Sequence, residues 1–218
     1  MATNAVIAAC INDPYHADVV VECGSPDARW EVDCHKAVIC PQSTFLSNKC
    51  AASGDRPVET KAKDRIVIDA PYDGKAVTAV LRSMYRSKED TEWLQGFAWI
   101  DLLRMFQVAH LFERNDLEPM ICSTASLKVD EIVDLDQIEG ALDEYRKLGQ
   151  PYLYGHFGND LEKLHHRQFA LQKKRKEDTK RELVDTLAAL RNPETRGDLS
   201  EEAYIKFLEA VQGSNWLH

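Results

Sequence analysis

The chain has 218 residues, 44% of them hydrophobic and 29% charged, the profile of an ordinary globular protein of one or two domains. Its longest uninterrupted apolar run, Ala5 to Ile11, is seven residues, far short of the roughly 20 that a membrane-spanning helix requires. Basic residues number 27 against 36 acidic, a net charge of −9, which opposes charge-driven binding to nucleic acid or anionic membrane.

In chain order, Asp18 to Gly24 is short and rich in valine and reads as a strand. Ser25-Pro26-Asp27 makes a turn. Arg29 to Cys34 then alternates, with Trp30, Val32 and Cys34 on one face and Arg29, Glu31 and Asp33 on the other. A period of two marks a half-buried strand, so the two segments form a hairpin. A short helical stretch over Lys36 to Lys49 follows, with Val38, Ile39, Phe45 and Leu46 as its apolar contacts. Arg65 to Asp69 supplies a third strand.

Beyond it the period changes to 3.6. Asp73 can cap a helix carrying Val77, Val80, Leu81, Met84 and Tyr85. Ile100, Leu103, Phe106, Val108, Leu111 and Phe112 mark a second, largely buried helix. Asp116 can cap a third, with Pro119 in its first turn. Three strands flanked by helices that arrive later in sequence indicate an α+β fold.

Texture shifts near residue 125, and residues 126–218 read as an all-helical extension that packs on residues 15–125 or extends from them. Asp136 can cap a helix with Ile138, Leu142, Tyr145 and Leu148 on one face, stopped by Gly149. Pro151 to Gly158 reads as an aromatic loop. Asp160 to Leu190 has no Gly or Pro and suits one continuous helix. Its middle is not apolar, which rules out a sustained coiled-coil seam. That middle holds Lys173, Lys174, Arg175 and Lys176. The run is either a nuclear import signal or acidic-partner patch, or else a solvated helix face with Lys–Glu pairs. Asp198-Leu199-Ser200-Glu201 resembles a capping box before Tyr204, Phe207, Leu208 and Val211.

The six cysteines all precede residue 123 and none form a C-x-x-C pair. No basic residue precedes the apolar Ala5–Ile11 run, so it does not read as an export signal. The cysteines are therefore expected to be reduced, in an intracellular protein of cytoplasmic or nuclear location. Cys34-His35 with Cys40 fits no common zinc spacing. A Cys34–His35 dyad is opposed by strand geometry, which points neighbours to opposite faces. His110 reads as a core or groove histidine, and His165-His166 as solvated. No Gly-rich phosphate loop, G-x-S-x-G or H-E-x-x-H is present. No catalytic residue, metal or cofactor is expected.

Four blocks over about residues 15–125 together resemble the BTB/POZ domain, in the form found in filamentous fungi. Asp18-Val19-Val20-Val21 resembles its opening strand. His35-Lys36-Ala37-Val38-Ile39-Cys40-Pro41-Gln42-Ser43-Thr44-Phe45 resembles its most specific block. Ile66-Val67-Ile68-Asp69 with the helix ending at Met84-Tyr85 resembles a third, and Phe106 to Phe112 with Leu117 a fourth. The resemblance implies a homodimer in which Asp18 and Lys36, beside His35, occupy a charged pocket near the two-fold interface. The alternative is an ordinary pair of surface charges at element ends, and the residues alone leave both open. A cullin-facing contact would fall at Val58 and Glu59. Pro57 stands where cullin-recruiting relatives carry an aromatic or apolar anchor, so weak or absent cullin binding is expected.

The expected function is that of a non-enzymatic protein–protein interaction module. It would be a homodimerising scaffold or adaptor, a role that includes ubiquitin-ligase substrate adaptor. Its partners would be a second copy and another protein, with no direct nucleic-acid or membrane contact. Two alternatives are a transcription-associated regulator imported through residues 173–176 and an enzyme without a recognisable motif.

Overall fold

The computed structural model describes residues 15–25, 28–52, 63–68, 71–87, 90–149, 151–191 and 205. Several expected features therefore lie outside the described residues. They are the Ala5–Ile11 run, Pro26-Asp27, Pro57, Val58, Glu59, Asp69 and the Asp198–Glu201 box with Tyr204, Phe207, Leu208 and Val211.

Valine-rich and alternating segments form strands β1 (Val19–Ser25), β2 (Ala28–Cys34) and β3 (Asp64–Ile68). The sheet order is β2-β1-β3. β1 and β2 pair antiparallel as the expected hairpin, with Val21 opposite Val32. β1 and β3 pair parallel, with Val21 opposite Ile66. The period of two sends Val19, Val21, Cys23, Val32, Cys34, Ile66 and Ile68 into the core. Trp30 keeps to that face, opposite Cys23, but at 43% exposure it lies at its rim, over the start of the later helix that opens at Gly74. There Gly74 leaves room for the indole, since a Cβ would sit 2.3 Å from it. On the opposite face Glu22 is buried and paired with Arg65 and, at 3.4 Å, with Arg29. A carboxylate so desolvated requires such partners.

Seven α-helices complete the described residues. They are α1 (Lys36–Ile39), α2 (Thr44–Ala52), α3 (Gly74–Ser83), α4 (Trp99–Leu111), α5 (Glu118–Lys128), α6 (Leu135–Leu148) and α7 (Pro151–Arg191). The class is α+β and mostly helical. The single helical stretch expected over Lys36–Lys49 is broken by a 3₁₀ turn at Cys40–Gln42, where Pro41 enters. Asp73 caps α3 as expected, accepting from the Ala76 N–H at 2.9 Å. α4 is buried almost all round through Leu102, Leu103, Met105, Phe106, Val108 and Ala109.

Three expectations need correction. Asp116 does not cap α5; it takes a bidentate grip on Arg114, at 2.8 and 3.2 Å. The guanidinium is only 5% exposed and needs a counter-charge more than the helix end needs a cap. Asp134, not Asp136, caps α6, because its extended backbone (φ −100°, ψ 160°) brings the carboxylate to the Gln137 N–H at 2.7 Å. Pro151–Gly158 is not a loop but the opening of α7. Pro151 suits a first turn, where its missing N–H has no acceptor to lose. Leu153, Phe157, Leu161 and Leu164 form a buried i, i+4, i+8, i+11 row that overrides the helix-weakening Gly155 and Gly158.

Gly149, at φ +60°, stops α6 and turns the chain into α7. The 41 residues of α7 span about 61 Å at 1.5 Å per residue. Leu153 to Leu164 of α7 join the same apolar core as the sheet, and Leu171, halfway along the helix, packs against it. No described helix is long and apolar enough to cross a membrane.

Candidate functional site

Of the residues singled out in the sequence, Asp18, His35 and Lys36 meet at one corner, where β1 and β3 begin and β2 ends. Val19 pairs with both Cys34 and Asp64, so Asp18 and Asp64 are brought side by side at adjacent strand starts. The Asp64 N–H donates to the Asp18 carbonyl at 3.0 Å, and the Asp18 N–H to the Cys34 carbonyl at 3.2 Å. The backbone ladder thus fixes the corner before any side chain acts.

Asp18 and Lys36 are neighbours there, but their side chains do not pair. Asp18 Oδ1 accepts the Lys36 backbone N–H at 2.8 Å, satisfying a first-turn donor of α1 that has no partner within the helix. The Lys36 ammonium turns instead to Asp64, which holds its pKa above the ordinary lysine value. Asp64 is a carboxylate that the sequence reading missed. Its only signal was a position just before a strand, and the parallel pairing that brings it to β1 is non-local. Asp18 is exposed, Lys36 half-buried and Asp64 buried, so the Asp18 anion and the Lys36 end of the ion pair reach solvent together.

Tyr85 anchors the corner from below. Its hydroxyl accepts the His35 backbone N–H at 2.8 Å and lies 3.1 Å from His35 Nδ1. It also hydrogen-bonds the Cys34 thiol, which burial pushes up to about 12. Burial likewise raises the Tyr85 hydroxyl above its ordinary value; burial and a Cys40 contact push the Cys50 thiol up to about 12. Thiols held this far above neutral pH stay protonated and are poor nucleophiles. Cys34 and His35 are each engaged with Tyr85 rather than forming a dyad. Among the described residues no group of three or more His, Cys, Asp or Glu is arranged to hold a metal.

Lys173, Lys174, Arg175 and Lys176 lie far from this corner, all exposed along α7. Lys173 pairs with Glu177 at 3.9 Å, one turn away. His165 and His166 are exposed, as expected, and so is His110, which is not a core residue. The His110 ring stacks on Tyr152 at 4.6 Å and meets Glu118 through Nδ1 at 3.1 Å.

The first half of α7 is also held by polar contacts that carried no sequence signal. Arg167 Nη1 donates to the Val129 and Ile132 carbonyls at 2.7 and 3.2 Å, while Nη2 reaches Asp130 at 2.6 Å. One guanidinium therefore supplies donors to two carbonyls at the end of the helical run that closes at Val129–Glu131. Asp160, buried, accepts from Ser126 Oγ at 3.2 Å. Burial raises the Asp160 carboxyl above its ordinary value, and Ser126 offsets part of that. The folded protein thus keeps this proton to higher pH than the unfolded chain. The associated stability is complete below about pH 4 and is lost as pH rises through the raised value. Asp160→Asn keeps an acceptor for Ser126 and cannot ionise. Its melting temperature relative to wild type is expected to climb from about pH 4 upward and then level off; a pH-independent difference would contradict this.

A scan against protein-family models finds no match to the chain, and a search of curated proteins finds no relative.

Proposed function

We propose that the chain is a non-enzymatic protein–protein interaction module of the BTB/POZ type, which self-associates through the Asp18–His35–Lys36 corner. The observation that carries this reading is the charge arrangement at that corner, with Asp18 exposed and Lys36 half-buried over the buried Asp64. Asp18 and the Lys36–Asp64 pair are set on a backbone ladder and a buried Tyr85, so they are rigid before binding. Rigid charges meeting their symmetry mates pay little ordering entropy on association. In a two-fold contact the same patch serves both copies, and an anion beside a cation is self-complementary.

The raised thiols favour a binding role over nucleophilic catalysis. The proposal includes no strong cullin contact, because Pro57 replaces an apolar anchor. Two differently tagged copies, co-expressed and captured on one tag, test the self-association. The second tag should be recovered with wild type and reduced at least about tenfold by Asp18→Lys, a loss equivalent to about 1.4 kcal/mol. Equal recovery from a folded Asp18→Lys variant would sink the assignment of this corner.

A further inference from the structure

Beyond Gln172 the long helix leaves its described neighbours. α6 follows α7 as far as Gln172, whose Nε2 donates to Glu139 at 3.2 Å. Farther on, Lys173 pairs with Glu177, Thr179 donates to the Arg175 carbonyl and Thr186 to the Glu182 carbonyl, all within α7. The stretch is nevertheless unevenly exposed. Val184 and Leu187 are 56% and 42% exposed, whereas Thr179, Leu183 and Thr186 are half-buried. Those three stand at i, i+4 and i+7, one strip of a helix surface. A shielded strip of that spacing, past the reach of α6, has the geometry of a helix-packing seam.

The chain that follows α7 is complementary to it. Residues 172–191 contain seven basic and four acidic residues, and residues 192–218 contain two basic and five acidic. The two segments thus carry opposite net charges of +3 and −3. In the second, Tyr204, Phe207, Leu208 and Val211 recur at i, i+3, i+4 and i+7 after the Asp198–Glu201 capping box. Ile205, adjacent to that stripe, has helical backbone and is 48% exposed. Six residues, Asn192 to Gly197, connect the segments. That length is usual between antiparallel helices, and Pro193 and Gly197 suit the break. An antiparallel return over this connection would set Tyr204, Phe207 and Leu208 about level with Arg181 to Asp185, a span that contains Leu183.

We propose that residues 198–212 dock antiparallel on the Thr179–Leu183–Thr186 strip of α7, making its distal part a helical hairpin closed by the chain itself. This strip is then not a seam for a second copy. The inference does not rest on the proposed self-association, which uses the opposite end of the molecule's sequence and a different surface.

Hydrogen exchange of the full chain tests it. Amides 176–190 are expected to be protected at all protein concentrations. Phe207→Asp with Val211→Asp should speed their exchange about tenfold or more while α4 is unchanged, as expected for loss of a local packing unit. Ile205→Asp, on the exposed side, should leave the rates unaltered. Unprotected wild-type amides would leave the strip for an outside partner, and concentration-dependent protection would place a second copy there; either result overturns the proposal. A photo-crosslinking residue at Leu183, in a mixture of isotopically light and heavy protein, keeps the test independent of the double variant's folding. Links to residues 198–212 of the same molecule support the hairpin. Links to a second copy, or to neither, overturn it.

Discussion

Phe106→Ala is expected to lower the stability of the protein by about 3–5 kcal/mol, the range for removing a fully buried aromatic ring. Phe106 is completely buried at the junction of α4 and α7. The Phe157 ring stands edge-on at 5.1 Å, and the His156 and Tyr152 rings lie at 4.7 and 6.4 Å. Truncation therefore removes both transfer energy and the surface on which α7 rests. In a chain of this size each kcal/mol corresponds to about 2–4 °C in melting temperature. Calorimetry should read the loss, and hydrogen exchange should place the earliest added opening in residues 151–165. A paired Phe106→Ala, Phe157→Ala cycle should show coupling of about 0.5–1.5 kcal/mol, the amount for contacting aromatic rings. Additive effects would mean that the two rings do not act together.

Tyr85→Phe is the second large effect, through a single oxygen. The ring and its packing are kept, yet the His35 N–H loses its acceptor, and His35 Nδ1 and the Cys34 thiol lose a partner. Leaving a buried N–H unsatisfied costs about 1–3 kcal/mol. Loss in that range by denaturant titration, with an unchanged m-value, is the expected result. A neutral substitution would show that the corner is not held from Tyr85. Because the hydroxyl fixes the junction between β2 and α1, Tyr85→Phe should also weaken recovery in the two-tag capture. It should do so without altering any surface charge.

Much of this architecture was legible because it is local. The alternation of Arg29 to Cys34 dictated a strand, and Asp73 and Gly149 marked a helix start and a helix stop by their own chemistry. Contacts between distant segments were not legible. Nothing in the sequence near Asp64 says that β3 will lie parallel to β1, so the anion that captures Lys36 was missed. Asp116 and Asp136 each had the right residue type for a cap. Competition from Arg114 decided the first, and a two-residue shift in backbone geometry the second. The start of α7 was readable in principle from Leu153, Phe157, Leu161 and Leu164. Pro151, Gly155 and Gly158 suggested a loop because local propensity was weighed without the burial that overrides it. At the corner, the residues alone left open whether Asp18 and Lys36 meet, and only the family resemblance implied it; their division of labour depends on the sheet.

Sedimentation equilibrium of the full chain near 10 μM tests the central claim most directly, since a dissociation constant of about 1 μM or tighter would be populated there. Self-association through the Asp18–Lys36 corner predicts a mass about twice the 24.8 kDa of one chain, and a shift toward the single-chain mass for Asp18→Lys. A wild-type protein that sediments as a single 24.8 kDa species at this concentration would contradict the account.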